Sequence, residues 1–484
     1  MRSSTYRFRG FMVLVAAMML ASLICAAGAS ARREPPPKPR KVEWIPGYAA
    51  PHTPARFDKV GIVKIGPETA KNVLVMEPGT SGGGAYFIPF AEWLISKTPG
   101  WQVWAVERRE NLLEDQTELN KFKKGRVTPE QFFKYYLGYL TEEDSEKHLN
   151  PLSERAAIRY GGREWGMNVA VQDLHDVIEA AKALGGKVVL GGHSLGGTVV
   201  TAYATWDFGG KPGAEGLSGL VFDDGGSSPV PVSASEAEES LTKLSGKSPW
   251  LAFGGIPSPY LGLFSVVGSA LAHFAPNEAS RVESFKLLPP ELVPKNGKGE
   301  PVPTTNEAAF GYGVNVGTSP ESLVAAQVHA GAGITEGAPG EPWTWNGEGA
   351  ITPLQRYAEM LSGTGAQSAD GVEWYFPERL TIDSGAIANG NANPAQAVLG
   401  EDAIHGSELP KSLHILAINS ELDKKFGGGF TTLTFAQELA EQSGIPNENV
   451  TLVNEENTYA HNDPNGGYPN NEFVAHLVPF LNGL

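Results

Sequence analysis

The chain contains the run GGHSLGG, which matches the pattern G-x-S-x-G with Ser194 at its centre. A short apolar and β-branched run, 187–190, precedes the pattern, and residues 198–204, which can continue as a helix, follow it. Strand, sharp turn and helix form the context in which this pattern holds a serine in a strained conformation with its hydroxyl exposed. Gly192 and Gly196 suit such a turn, because a Cβ at either position would crowd it. A glycine-rich loop with an incidental serine is the alternative, and the flanking segments favour the turn.

Extended and helical patterns alternate along much of the chain. Apolar runs typical of buried strands occur at 72–76, 101–106, 187–190, 217–222, 413–418 and 450–453. Apolar residues recur at helical spacing in 87–96, 168–184, 431–442 and 473–480. This alternation predicts an α/β fold, in which a mostly parallel central sheet carries helices on both faces.

The alternation stops at about residue 225 and resumes at about residue 412. The segment between is rich in Gly, Pro, Ser and Ala, and it shows helical patterns at 260–274 and 352–361. It is too long for a simple connection within a compact domain. We therefore predict an inserted cap or lid that interrupts the core, with the first part of the core at 56–227, the cap at 228–405 and the second part of the core at 406–484.

The first residues have the features of an export signal. Arg2, Arg7 and Arg9 precede an uncharged apolar run, and an A-x-A pattern ends at Ala31. These features predict a cleaved signal peptide at 1–31, and hence a protein secreted to the extracellular space or the cell envelope. An uncleaved N-terminal membrane anchor is the alternative. The proline-rich stretch that follows predicts a linker at 32–55.

Charge and cysteine content narrow the possible partners and chemistry. The 484 residues carry a formal net charge of −16, which leaves no basic surplus to neutralise phosphates and argues against nucleic acid as a partner. Cys25 is the only cysteine, and it lies in the predicted signal peptide. The mature protein is therefore expected to have no disulfide, no thiolate nucleophile and no cysteine-ligated metal.

The serine of the turn requires further groups before it can act as a nucleophile. A serine hydroxyl needs a positioned base at neutral pH, and the base needs an orienting acid. Where the G-x-S-x-G turn is used in this way, the acid and the histidine follow the serine in the chain. His461 lies just after the last predicted strand, whereas the other histidines precede the serine, fall in or beside the cap, or lie within a predicted element. We predict His461 as the general base.

The acid is expected on a loop that follows one of the later strands. Asp423 lies after the strand at 413–418, where a carboxylate can accept the imidazole N–H and fix its tautomer. Glu421 lies on the same loop, and Asp223 or Asp224 ends the preceding strand, so these residues are alternatives. The ordinary explanation of the aspartate pair is a turn or a helix cap. We favour Asp423.

Stabilising a tetrahedral oxyanion requires two backbone N–H groups. One is expected from Leu195, directly after the serine. The other is expected from the glycine-rich loop 78–84, whose glycines let the backbone approach a substrate closely. In this loop we choose the amide of Thr80, with Ser81 as runner-up. The loop lacks the pattern G-x-x-x-x-G-K-[ST], so a nucleotide site is not predicted.

Taken together, these motifs resemble the α/β-hydrolase fold, and within it the secreted lipases and esterases. Residues 78–80 (PGT) are similar to the His-Gly-x oxyanion segment of that family, with proline in place of histidine. Residues 192–196 match the nucleophile turn of many lipases. Residues 420–423 (SELD) resemble the family's acid turn with serine for glycine, and residues 460–462 (AHN) resemble its histidine turn. The resemblance covers about 60–227 and 406–484.

The resemblance implies acyl transfer to water through an acyl-enzyme. Ser194 would attack an ester carbonyl, His461 would take its proton, Asp423 would orient the imidazole, and the amides of Leu195 and Thr80 would hold the oxyanion. The implied substrate is a small-molecule or lipid ester, and no metal, cofactor or stable protein partner is implied.

Two other functions remain open at this stage. A secreted serine peptidase of the same fold, such as a capped aminopeptidase, is the second candidate. It would require a carboxylate pair for the peptide amine, for which Glu373 and Glu378 are candidates. A non-catalytic binding module is the third candidate.

Overall fold

The structure is a computed structural model that describes residues 40–141, 146–148, 161–245, 248–253, 255–282, 288–426 and 431–484. The predicted signal peptide and the first residues of the predicted linker lie outside the described residues. In the described part of the chain, no helix is both long enough and apolar enough to cross a membrane.

The centre of the fold is an eight-stranded sheet. Its strands are β1 (Glu43–Pro46), β2 (Lys59–Ile65), β3 (Asn72–Glu77), β4 (Trp101–Glu107), β5 (Val188–His193), β6 (Gly219–Asp223), β7 (His414–Ile418) and β8 (Val450–Val453). Their order across the sheet is β8-β7-β6-β5-β3-β4-β2-β1. Only β2 pairs in antiparallel fashion, with β1 and β4, and all other neighbours are parallel. The mostly parallel sheet predicted from the sequence is confirmed.

Helices cover both faces of this sheet. Successive strand residues point to opposite faces, so Val73 and Val75 pack in one cluster and Leu74 and Met76 in the other. The first cluster contains residues of α2 (Met167–Lys182), α3 (Leu195–Thr205) and α4 (Thr432–Ser443), and the second contains residues of α1 (Ile88–Ile95) and α5 (Glu472–Gly483). All five helices lie within two or three residues of their predicted bounds, or, for α3, directly after the predicted turn.

Strand β1 lies inside the stretch predicted as a linker, 32–55. It pairs with β2, with Glu43 opposite Ile62 and Pro46 opposite Lys59. It is a short edge strand with no fully buried residue. Its composition therefore resembles that of a proline-rich spacer, and sequence patterns did not distinguish the two.

Between β6 and β7 lies the stretch predicted as a cap, and it contains several helices. Its helices are Ala234–Ser245, Tyr260–Phe274, Asn306–Val314, Leu354–Ser362, Glu378–Ser384 and Pro394–Leu399. Small two-stranded sheets join Ala252–Phe253 to Ile256–Pro257, Gly333–Thr335 to Thr344–Asn346, and Ala366–Gln367 to Arg40–Lys41. Shorter helices elsewhere are Gly161–Glu164, Glu421–Phe426 and Asp463–Gly466.

A second segment, which sequence patterns did not predict as part of the cap, packs against this insertion. It lies between β4 and α2 and contains the helices Thr117–Lys123 and Pro129–Leu137. Phe132 and Tyr136 share an apolar cluster with Leu263 and Trp374 of the insertion. The rings of Tyr136 and Trp374 meet edge to face, with centroids 5.6 Å apart. The stretch predicted as a cap therefore packs against a separate stretch of the chain.

The tight packing at the end of β6 can be tested with glycine substitutions. A Cβ at Gly225 would lie 1.9 Å from the carbonyl oxygen of Ser194, a backbone atom that cannot move aside. We expect Gly225→Ala to lower the free energy of unfolding by at least about 2 kcal/mol, measured by denaturant titration. Gly297→Ala is the matched control, because no atom lies within 4 Å of its added Cβ. Equal stability of the two variants would contradict the packing described here.

Candidate active site

Ser194 occupies a sharp turn between β5 and α3. Its backbone has φ 56° and ψ −127°, a combination rarely adopted by residues other than glycine. The turn is tight, because a Cβ on Gly192 would lie 2.2 Å from the oxygen of Gly196, and one on Gly196 would lie 2.3 Å from the oxygen of Glu77. The Ser194 N–H donates to the carbonyl of Asp223 at 2.9 Å. The predicted strand–turn–helix geometry, with its two required glycines, is confirmed.

His461 lies in the loop after β8 and is almost fully buried. Its Nδ1 donates to Oδ2 of Asp224 at 2.5 Å. His461 and Ser194 line the same pocket, which has a volume of about 90 Å³. Because Nδ1 is engaged by the carboxylate, Nε2 is the nitrogen left to accept a proton from a hydroxyl in this pocket.

The carboxylate of Asp224 is buried and held from two sides. Its Oδ1 accepts from the N–H of Ser420 at 2.7 Å, and its Oδ2 accepts from the Ser420 hydroxyl as well as from His461. The backbone of Asp224 has φ 48°, and its N–H donates to the carbonyl oxygen of Ile418 at 2.8 Å. This carboxylate therefore has a single orientation, with one oxygen directed to the imidazole.

The structure does not place Asp423 beside His461, so the choice of Asp423 as the partner of the histidine was wrong. The Asp423 carboxylate instead accepts from the N–H of Thr432 at 2.7 Å, at the start of α4. Burial, together with the negative charge of Asp224, raises the pKa of Asp423 to about 6. Glu421, the alternative on the same loop, forms an ion pair with Lys425 at 3.1 Å.

Sheet order explains this correction. Strand β6 lies next to β5, so the residue that follows β6 is one strand closer to Ser194 than any residue that follows β7. Asp423 follows β7 and lies within the helix Glu421–Phe426. Asp223, the other alternative, is also buried, but its Oδ2 accepts from the side-chain amide of Asn465 at 2.5 Å. Sequence reasoning had identified the Asp223–Asp224 pair only as an alternative.

Residues that the sequence did not indicate hold the histidine loop in place. Asn462 accepts from the hydroxyl of Tyr86 at 2.9 Å and donates to the carbonyl of Ala325 in the cap at 2.9 Å. His193 donates from Nε2 to the carbonyl oxygen of His461 at 3.0 Å. Burial, followed by the neighbouring His461, lowers the pKa of His193 to about 3, so this imidazole is neutral. These hydrogen bonds therefore link the loop of His461 both to the end of β5, next to the Ser194 turn (the elbow), and to the cap.

The loop after β3 passes directly beside the serine. A Cβ on Gly79 would lie 2.7 Å from the Cβ of Ser194 and 3.3 Å from its hydroxyl oxygen. Thr80 and Ser81 line the same pocket as Ser194, and Ser81 has φ 55°. Leu195 is the first residue of α3, where backbone N–H groups have no acceptor within the helix. The predicted donors, Leu195 and Thr80, are thus next to the serine in the chain and beside it in space, respectively.

The structure does not arrange Glu373 and Glu378 as the peptidase hypothesis requires. Glu373 is fully buried, and its Oε2 accepts from Nε and Nη2 of Arg108 at 3.0 and 2.7 Å. Its charge is therefore compensated inside the protein. Glu378 begins the helix Glu378–Ser384, and its N–H donates to the carbonyl of Pro249.

The sheet order, the elbow after β5 and the acid and histidine beyond later strands define the α/β-hydrolase fold. No family model matches the sequence, and no curated protein resembles it at a significant level. The chain is similar in structure to a soluble variant of monoglyceride lipase from Saccharomyces cerevisiae, at 11% identity and a TM-score of 0.37, covering 94% of this chain and 99% of that one.

Two further solved structures are similar at the same level. Monoacylglycerol lipase from Paleococcus ferrophilus is 12% identical with a TM-score of 0.31, covering 87% of this chain and 98% of that one. MenH from S. aureus is 13% identical with a TM-score of 0.35, covering 88% and 98%. At these identities and scores, the likenesses carry no information about the reaction of this protein.

The identity of the acid can be tested by comparing two isosteric variants. We expect Asp224→Asn to slow labelling of Ser194 by a fluorophosphonate probe by about 10³- to 10⁴-fold, because an amide no longer stabilises the correct imidazole tautomer or the imidazolium. Asp423→Asn should label at nearly the wild-type rate, since an amide oxygen can still accept from Thr432. Thermal unfolding checks that both variants fold. Strong slowing by Asp423→Asn alone would contradict the arrangement.

Proposed function

We propose that this protein is a serine hydrolase that cleaves carboxylic esters through a Ser194–His461–Asp224 triad. The observation that carries the proposal is the buried hydrogen bond between His461 and Asp224. His461 lines a pocket that also contains Ser194, whose backbone conformation is strained. An acid, an imidazole and a serine in this relation are the parts required for nucleophilic acyl transfer.

The reaction follows from the roles of these groups. The Ser194 hydroxyl attacks the ester carbonyl while Nε2 of His461 takes its proton, and Asp224 stabilises the resulting imidazolium through Nδ1. The amides of Leu195 and Thr80 stabilise the oxyanion, each contributing on the order of 3 kcal/mol to the transition state. His461 then protonates the leaving alcohol and activates a water that releases the acid from Ser194.

An apolar cavity beside the pocket favours an ester with an apolar acyl group. The cavity has a volume of about 170 Å³, and most of its lining is aliphatic or aromatic. Leu261, Ser265 and Ala326 line both this cavity and the pocket of Ser194, so the two spaces adjoin. An acyl chain attached to the reacting carbonyl would be able to extend into it and leave water.

Esters are favoured over peptides by the state of Glu373. A peptidase that binds a substrate amine needs a carboxylate with an available negative charge, whereas Glu373 is buried and paired with Arg108. We also propose, from the N-terminal sequence alone, that the protein acts after export and removal of residues 1–31.

The nucleophile is tested by covalent labelling. The mature protein should be labelled by a fluorophosphonate and should hydrolyse p-nitrophenyl esters, and Ser194→Ala should lose both properties because no other hydroxyl is paired with His461 in this mechanism. Ser228→Ala, which changes an exposed serine, is the control. A folded wild-type protein that neither labels nor hydrolyses any ester would overturn the proposal. Preferential cleavage of aminoacyl anilides would instead support the peptidase.

The role of the apolar cavity is tested by filling it. Gly268 lines the cavity, and an added Cβ would lie 3.7 Å from the ring of Phe310, so a larger side chain fits there. We expect Gly268→Leu to lower kcat/KM for a decanoate ester by about 100-fold, because about four methylenes at about 0.8 kcal/mol each lose their apolar environment. Hydrolysis of the acetate ester should be nearly unchanged. Gly297→Leu, at an exposed turn, controls for the substitution itself, and an equal effect on both esters would contradict this role.

A further inference from the structure

We propose that Arg108 is a positioning residue that orients the backbone amide of Thr80 toward the reacting carbonyl. The inference deepens the proposed function and rests on it, because it assigns a role in the oxyanion site of the same reaction. Arg108 directly follows β4, whose neighbour β3 leads into the loop 78–84. Parallel strands end at the same edge of a sheet, so Arg108 lies next to this loop and its side chain contacts it.

Every nitrogen of the Arg108 guanidinium is engaged by this loop or by the carboxylates around it. Nη1 donates to the carbonyl of Pro78 at 2.8 Å, and Nη2 donates to the carbonyls of Gly79 and Gly82 at 2.7 and 3.1 Å. Nη1 also donates to Oε1 of Glu77, and Nε and Nη2 both donate to Oε2 of Glu373. Three carbonyls of one short loop therefore converge on a single buried side chain.

Holding a carbonyl fixes the amide on the other side of the same peptide plane. In a trans peptide the C=O and the following N–H point in opposite directions. The bond from Arg108 to the Gly79 oxygen therefore directs the Thr80 N–H away from the guanidinium. Thr80 lines the pocket that contains Ser194, and Gly79 contacts Ser194. The amide that the mechanism requires is thus fixed by an interaction on the opposite side of the loop.

The rest of the loop is held by the same cluster. The carbonyl of Ser81 accepts from the N–H of Glu373 at 2.8 Å, and the N–H of Gly83 donates to Gly371 at 3.1 Å. Ser81 has φ 55°, a strained backbone conformation that is kept only where the surrounding structure holds it in place. Because the side chain of Glu373 binds Arg108 while its backbone binds Ser81, the cap segment and the guanidinium act on the loop together.

The charges around Arg108 explain why arginine suits this position. Burial alone would lower the pKa of Arg108, but Glu373 and Glu77 raise it above its ordinary value, so the guanidinium stays charged. Burial raises the pKa of Glu77 to about 7, although Arg108 opposes this rise. Lysine would keep the charge, but its single ammonium has three donors and no planar fork. It cannot hold the carbonyls of Pro78, Gly79 and Gly82 and both carboxylates at once.

The neighbouring Arg109 provides a matched control. It is equally buried and has a comparable set of partners, since it binds both carboxylate oxygens of Asp173, one of Asp58 at 3.1 Å and the carbonyl of Tyr48 at 2.8 Å. None of these partners belongs to the loop 78–84. Arg109→Lys therefore reproduces the loss of a buried guanidinium without changing the contacts of the Thr80 peptide.

The experiment compares Arg108→Lys with Arg109→Lys in the mature protein, using p-nitrophenyl esters. We expect kcat of Arg108→Lys to fall by about 10²-fold with little change in KM, as for the loss of one oxyanion donor. Arg109→Lys should retain kcat within a small factor, and thermal unfolding should show similar loss of stability in both variants. If Arg108→Lys does not fold, Arg108→Met combined with Glu373→Gln removes the loop contacts without changing the net charge of the cluster.

A thionoester substrate separates positioning from general structural damage. A thiocarbonyl sulfur is larger and a weaker hydrogen-bond acceptor than oxygen, so it gains less from the oxyanion donors. The ratio of kcat/KM for an ester to that for its thiono analogue should fall at least about tenfold in Arg108→Lys and stay constant in Arg109→Lys.

Each outcome has a distinct meaning. An active wild type in which Arg108→Lys matches Arg109→Lys in kcat and in the ester-to-thionoester ratio would overturn the positioning role alone. A wild type that neither hydrolyses esters nor labels at Ser194 would overturn the proposed function, and this role with it.

Discussion

The turn at Ser194 is the constraint on which the rest of the site depends. Its N–H is bound to the carbonyl of Asp223, and Gly225 packs against its carbonyl with no room for a Cβ. The end of β6 is thereby fixed against the elbow, and Asp224, the next residue of that strand end, takes a left-handed backbone conformation. Its carboxylate then faces the loop of His461. The position of the acid therefore follows from close backbone packing between two neighbouring strands.

Beneath the loop that follows β3, the fold buries more acidic than basic groups. Arg108 and Arg109 are the buried guanidiniums of this region, whereas the carboxyls of Glu107, Glu110 and Glu373 lie around them. Burial raises the pKa of all three carboxyls, and that of Glu107 and Glu110 well above the ordinary value. The carboxylates of Glu77 and Glu373 bind Arg108 and hold it in place. This cluster is remote from the G-x-S-x-G motif in sequence, yet it contacts the loop beside Ser194.

Much of the fold was predictable because local patterns report it. Alternation of β-branched runs and helical spacing depends on period and composition, and it located six of the eight strands of the sheet. The helical stretch Tyr260–Phe274 in the cap was likewise predicted with its observed bounds. Strands β1 and β2 and the helices between β4 and α2 were not predicted. Short polar or proline-rich segments such as β1 gain their structure from the neighbours on which they pack.

For the site, the sequence by itself predicted Ser194 and His461, and the structure places both in one pocket. Ser194 lies in a motif whose glycines dictate the local backbone, and His461 follows the last strand of the chain. Only the tertiary structure decided between Asp423 and Asp224, because the order of strands in the sheet sets which strand end adjoins the elbow. The same is true of Arg108, whose partners come from two stretches of the chain, 77–82 and Glu373, that are distant from each other in sequence. Contacts between distant residues depend on how the elements pack, and no local pattern in a single sequence carries that information.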